Sequence, residues 1–201
     1  MFCYQCEQTT KGTGCEKIGV CGKNNEVAAL QDVLIHALKG LSICAVEARK
    51  VGVNNDNVNR FTYEAIFSTL TNVDFDPARF LELISKCQKM SVELMKSTEA
   101  AGGKISGKYD DACLKTDLTE DALVKLGEKV GIKSDKSDED IVSLRQLLTY
   151  GLKGLAAYAD HAAILGQTDD AIIEFIHEAL AATLDSSLGV NDYVGLVLKC
   201  G

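Results

Sequence analysis

Four cysteines fall within the first 21 residues, Cys3, Cys6, Cys15 and Cys21, in a C-x2-C-x8-C-x5-C pattern. Thiolates are soft donors, and a short segment that gathers four of them suits an iron-sulfur cluster or zinc rather than a hard cation. Gly12, Gly14, Gly19 and Gly22 lie between or beside these residues, where a loop must wrap tightly and bring backbone N–H groups close to sulfur. That interleaving favours a cluster. Structural zinc usually takes two C-x2-C knuckles, and only Cys3 and Cys6 have that spacing here. Disulfides would need an oxidising compartment, and nothing in the sequence directs the chain to one. Four cysteines serve a 4Fe-4S cubane or a 2Fe-2S centre alike.

The other reactive side chains read as structural. Cys44 falls on an apolar helical seam, Cys87 and Cys200 occupy matching helix positions, and Cys113 stands alone in a polar stretch, as a surface thiol would. His36, His161 and His177 have Tyr150, Glu47 and Tyr63 at the matching positions of an internal repeat, and such tolerance suits structural or surface roles. There is no phosphate-binding loop and no serine-histidine-acid arrangement. Twenty-one basic residues against 29 acidic give a net charge of -8, which offers neither nucleic acid nor anionic lipid an electrostatic footprint. Without a secretory leader or an uninterrupted apolar span, the chain is expected to be cytoplasmic, with reduced thiols.

The elements that must position the cysteines are helical. Pro77 is the single proline, so long uninterrupted helices are possible. Val27, Leu30, Leu34, Ala37, Leu41, Cys44, Ala48 and Val51 advance by alternating three- and four-residue steps, the apolar seam of one long helix that Gly52 ends. A second helix is expected after Asn55 or Asp56. A third starts with Asp76 as cap and Pro77 at its first position, and ends near Gly102 and Gly103.

The chain then repeats. A shift of 114 residues lays Leu34-Ile-His-Ala-Leu-Lys-Gly-Leu41 on Leu148-Thr-Tyr-Gly-Leu-Lys-Gly-Leu155, and continues through Gly52 and Gly166, Phe61 and Phe175, and Thr69 and Thr183. With one residue dropped, Lys86-Cys87 meets Lys199-Cys200. The expected architecture is therefore all-α, two consecutive three-helix bundles related by internal duplication. The divisions are a cluster-binding segment at 1–23, a first bundle at 24–100, a connector at 101–137 and a second bundle at 138–201. The connector should hold one short helix from Thr119 to about Val130, and the run from Ser134 to Asp140 a capped helix start. The third helix of the second copy stops one residue after Cys200, whereas its counterpart continues past Cys87; the last helix thus reads as cut off, in a piece of a longer protein.

Met1-Phe-Cys-Tyr-Gln-Cys-Glu-Gln-Thr9, Gly14-Cys15, Gly19-Val-Cys-Gly-Lys23, Leu30-Gln-Asp32 and Leu152-Lys-Gly-Leu-Ala-Ala-Tyr-Ala159 together resemble the N-terminal region of the hybrid-cluster protein family, also called prismane proteins or hydroxylamine reductases. The likeness runs over the whole chain. It implies that Cys3, Cys6, Cys15 and Cys21 ligate a 4Fe-4S cubane, since the members with a 2Fe-2S centre space their ligands more widely. It also implies a continuation into α/β domains that carry the iron-sulfur-oxygen hybrid cluster, where hydroxylamine or nitric oxide is reduced. None of those ligands is present, so the expected role of this stretch is electron transfer and scaffolding, with a redox donor protein and the downstream domains as partners and no activity of its own. Around such a cluster, Phe2 and Tyr4 are expected to shield it from water and the N–H groups around Gly19 and Gly22 to donate to its sulfurs. Two other classes fit the same cysteines: a zinc-stapled helical interaction module, and a redox or nitric oxide sensor with a labile cluster.

Overall fold

The computed structural model describes residues 2–10, 12–105, 119–131, 135 and 137–201. After a short 3-10 turn at Glu7–Thr9 come α1 (Asn25–Lys50), α2 (Asp56–Ser68), α3 (Pro77–Ala100), α4 (Glu120–Val130), α5 (Glu139–Ile164), α6 (Asp170–Ala182) and α7 (Val190–Cys200). Among the described residues there is no strand. Local chemistry sets the boundaries. The side chains of Asn24, Asn55, Asp76, Thr119, Asp138 and Asp169 each accept from a first-turn N–H that the helix itself leaves unbonded. Gly52 and Gly166, at φ 78° and 76°, end α1 and α5 in the left-handed conformation that glycine adopts without strain. Behind each, an N–H reaches back 2.9 Å, from Val53 to the Ala48 carbonyl and from Gln167 to that of Ala162.

Helix α1 is the centre of the core. Leu30, Val33, Leu34, Leu38, Leu41 and Cys44 are fully buried, and Cys87 of α3 joins the same core. By length and composition α1 could cross a membrane, yet 83% of its most apolar window is buried inside the protein. It packs against α3, α4 and α6, while α5 packs against α2 and α7. The second helix of each half thus lies mainly on the long helix of the other half, and α1 meets α2 at few positions.

Equivalent residues of the two copies do the same work. Thr69 and Thr183 cap α2 and α6, each donating its hydroxyl 2.7 Å to a carbonyl three residues back. Lys86 lies 5.0 Å over the Phe61 ring, and Lys199 lies 4.8 Å over Phe175. The connector helix α4 departs from this correspondence. It crosses α1 at Gly127, where an added Cβ would stand 2.4 Å from the Ala29 carbonyl oxygen. Gly127→Ala would gain about 1 kcal/mol of helix propensity, but the overlap, worth roughly 1–3 kcal/mol, outweighs it. Denaturant melts of this variant should show net destabilisation, with hydrogen exchange rising first in α4.

His177 seals the junction of α6 with α1. Its Nδ1 lies 3.1 Å from the Ser42 hydroxyl, while Nε2 is buried without a partner among the described residues. Burial, aided by Arg49, holds the imidazole down at about 3. The unfolded chain therefore binds a proton near pH 6.5 that the folded chain refuses, and this stabilisation, complete above pH 6.5, drains as pH falls towards 3. The expected slope is about 1.4 kcal/mol per pH unit between roughly pH 6 and 4. Urea denaturation across that range checks it, with His177→Gln removing the slope.

Candidate metal centre

Among the described residues up to Lys23 there is no regular structure beyond the 3-10 turn, and the segment is fastened to three parts of the helical body. The Phe2 N–H donates to the Cys15 carbonyl at 3.0 Å, which ties the two ends of the loop together. From α1, Gln31 accepts from the Gln5 amide at 3.0 Å and from the Lys23 ammonium at 2.7 Å. From the α2–α3 turn, the Thr71 hydroxyl donates to the Gln5 carbonyl at 3.0 Å. From α5, the Tyr150 hydroxyl donates to the Tyr4 carbonyl at 2.9 Å. Backbone groups that would be costly to bury unbonded are thus used to fix the peptide between Cys3 and Cys6.

All four cysteines are free thiols, Cys3 and Cys15 half-buried, Cys6 and Cys21 exposed. Cys3 is pushed up by burial, opposed by the Gln5 N–H and the Lys23 ammonium and assisted by Asp32 and by Cys21, which lies near enough to be felt. Among the described residues no three cysteine, histidine or acidic side chains converge closely enough to hold a metal ion. The segment therefore sets its thiols in one neighbourhood but not around one point. As a donor set it fits an iron-sulfur cluster: four soft ligands, no histidine, and an exposed Cys6 with no packing to give up in turning inward.

Lys23 is the residue that spacing arguments miss. It is 1% exposed, lies 5.6 Å from the Phe75 ring centre, and ends on Gln31. A cation one residue before the Asn24 cap is disfavoured by the α1 dipole, so its placement there was a legible signal of some other duty. Gln31, fully buried on an otherwise apolar helix face, is a second such signal.

The glycines behave differently from expectation. The Gly19 N–H donates to the Lys23 carbonyl at 2.7 Å, and the Gly22 N–H to the Gly19 carbonyl at 2.8 Å. Both donors expected at sulfur are spent on a tight turn, for which Gly22 supplies φ 93°. Phe2 and Tyr4 are half-buried and line a cavity behind the loop. Cys44 and Cys87 are buried, Cys200 is half-buried against Gly151, and Cys113 lies outside the described residues. His161 is exposed, edge-on to Phe67 at 5.3 Å, and His36 lines the cavity.

A model of the Prismane/CO dehydrogenase family matches residues 1–201. Proteins named hydroxylamine reductase are similar across the whole chain: that of Syntrophobacter fumaroxidans is 56% identical over 202 residues, and that of Methanocella arvoryzae 50% over 203. That of Geobacter metallireducens is 44% identical over 209 residues. The chain spans 37% of the length of the first two and 38% of the third.

Proposed function

The chain belongs to the Prismane/CO dehydrogenase family, and from that premise we propose that it is the electron-transferring, iron-sulfur part of a hydroxylamine reductase, with Cys3, Cys6, Cys15 and Cys21 as ligands of a 4Fe-4S cluster. The observation that carries this reading is the fastening of a four-thiol segment to α1, α5 and the α2–α3 turn through Gln31, Tyr150 and Thr71. A loop without metal duties gains little from three separate anchors.

A bound cluster of this type takes up and returns one electron at a time. The protein's own groups fit that task. The buried Lys23 ammonium offsets the negative charge that four thiolates bring, and does so from a fixed position on Gln31. Tyr150 and Thr71 hold the peptides flanking Cys3 and Cys6, so the ligands need little rearrangement when the charge changes. The exposed Cys6 and Cys21 place one side of the centre at the surface, within reach of a redox donor protein. Reduction of hydroxylamine at a hybrid cluster would belong to the rest of the longer protein, and this chain alone is expected to turn over no hydroxylamine.

The test is iron, acid-labile sulfide and zinc per chain on protein purified without oxygen, with electron paramagnetic resonance of the dithionite-reduced sample. About four iron and four sulfide with a reduced-cluster signal support the reading. One zinc and no sulfide overturn it in favour of a stapled interaction module.

A further inference from the structure

Between α1 and α5 lies a cavity of about 360 Å³. The long helices do not pack along each other there, and the faces they turn to the gap correspond residue for residue. Asp32, His36 and Lys39 of α1 stand opposite Gln146, Tyr150 and Lys153 of α5, each pair 114 residues apart and all six on the wall. The exchange of α2 and α6 thus brings equivalent surfaces of the two halves around one space.

Its charge runs against that of the molecule. The chain is net -8, yet the wall carries Lys39, Lys129, Arg145 and Lys153 against Asp32 and Asp135. Asp135 is paired with Arg145, 3.0 Å away, which sets Asp32 against three lysines, with Asp135 still felt by Lys39 through space. The two equivalent lysines are not bonded equivalently. Lys153 is 4% exposed and donates to the Thr69 carbonyl at the end of α2, at 3.2 Å. The matching bond, from Lys39 to the Thr183 carbonyl at the end of α6, is not made, although both residues line the cavity. Among the described residues Lys39 has no hydrogen bond or ion pair, and Asp32 is felt only through space. Burial penalises both ammonium groups strongly, holding Lys39 and Lys153 near 8. A buried cation facing a polar cavity is stabilised by a shared counter-ion with oxygen acceptors.

We propose that this cavity is a binding site for a small oxyanion, held between the Lys39 and Lys153 ammonium groups at equivalent positions of the two halves of the chain. Cys3 and the Tyr4 carbonyl, which receives the Tyr150 hydroxyl, form the wall on the cysteine side, so the site adjoins the proposed metal centre and shares Cys3 and Tyr150 with it. Asp32 limits the charge the site accepts, since a ligand of higher charge meets its carboxylate.

Calorimetric titration of the chain with inorganic phosphate, at ionic strength fixed by chloride, tests this. Saturable binding of about one phosphate per chain is expected. Lys39→Gln and Lys153→Gln should each weaken it roughly tenfold or more, and Asp32→Asn should strengthen it. These opposite signs are what a loosened fold would not produce, and circular dichroism of each variant confirms that the helices are kept. Absence of saturable binding, or binding unchanged in Lys39→Gln, overturns the proposal. Iron content is measured on the same samples, so failure of the anion site and failure of the cluster assignment are read separately.

Discussion

Cys15→Ser should empty the metal centre, with iron and acid-labile sulfide falling together to a small fraction of the wild-type content. A serine oxygen is a harder and far less acidic ligand than a thiolate, and a cluster held by three cysteines is exposed to loss of its fourth iron and then of the whole. Cys15 carries more than its sulfur, because its carbonyl receives the Phe2 N–H that joins the two ends of the loop. Serine keeps that carbonyl, so the fold of residues 2–15 survives and the loss is one of ligation. Cys44→Ala and Cys87→Ala, at buried core positions, should retain full iron and sulfide while melting earlier. If Cys15→Ser kept its iron while either core variant lost it, the ligand assignment would fall.

The second large effect is expected at Arg145. Its guanidinium donates from Nε to the Tyr193 hydroxyl at 2.9 Å, from one Nη to Asp135 and Ser137, both at 3.0 Å, and from the other to the Asp185 carbonyl at 3.2 Å. One side chain of α5 thereby joins the residues before α5, the α6–α7 turn, and the fully buried Tyr193 of α7. For Asp135 burial works against ionisation, but the Ser137 hydroxyl and N–H and the guanidinium prevail and hold it below the usual carboxylate range. Arg145→Ala removes the donor from a part-buried network whose acceptors water can partly reach, and the expected cost is about 1–3 kcal/mol. Lysine keeps the charge but lacks the planar fork, so Arg145→Lys should recover only part of it. Urea melts of the three proteins measure the series. Wild-type stability in Arg145→Ala would mean that the network is surface decoration.

Helix boundaries were legible in the sequence because their causes are local: an asparagine, aspartate or threonine at the starts of α1 to α6, and glycine at the ends of α1 and α5. Helix partners were not. The seam from Val27 to Val51 says that α1 buries one face, but α2 and α6 present similar apolar stripes, and nothing in periodicity says which long helix either will choose. The candidate ligands were legible as types at a spacing, whereas their anchors were not, since Gln31 and Tyr150 are far from Cys3 in sequence and meet the loop only through tertiary packing. The repeated Leu-Lys-Gly-Leu motif was visible from the start; that both lysines turn towards one cavity depends on the same unforeseen exchange.

That exchange bears on how the molecule acquires its shape. Helix α2 finds its main partner only in α5, which begins at Glu139, and α6 must travel back to α1. A ribosome that has released the first hundred residues has made a half whose second helix lacks its main partner. Contacts of such long sequence separation slow folding, because the loop entropy must be met before the contacts form. The nucleus must draw on both halves, intermediates with one half ordered should be scarce, and unfolding should proceed as a single transition. Expressed as two separate polypeptides, the halves would fold only on meeting, which makes the present chain a covalently tethered dimer in its kinetics.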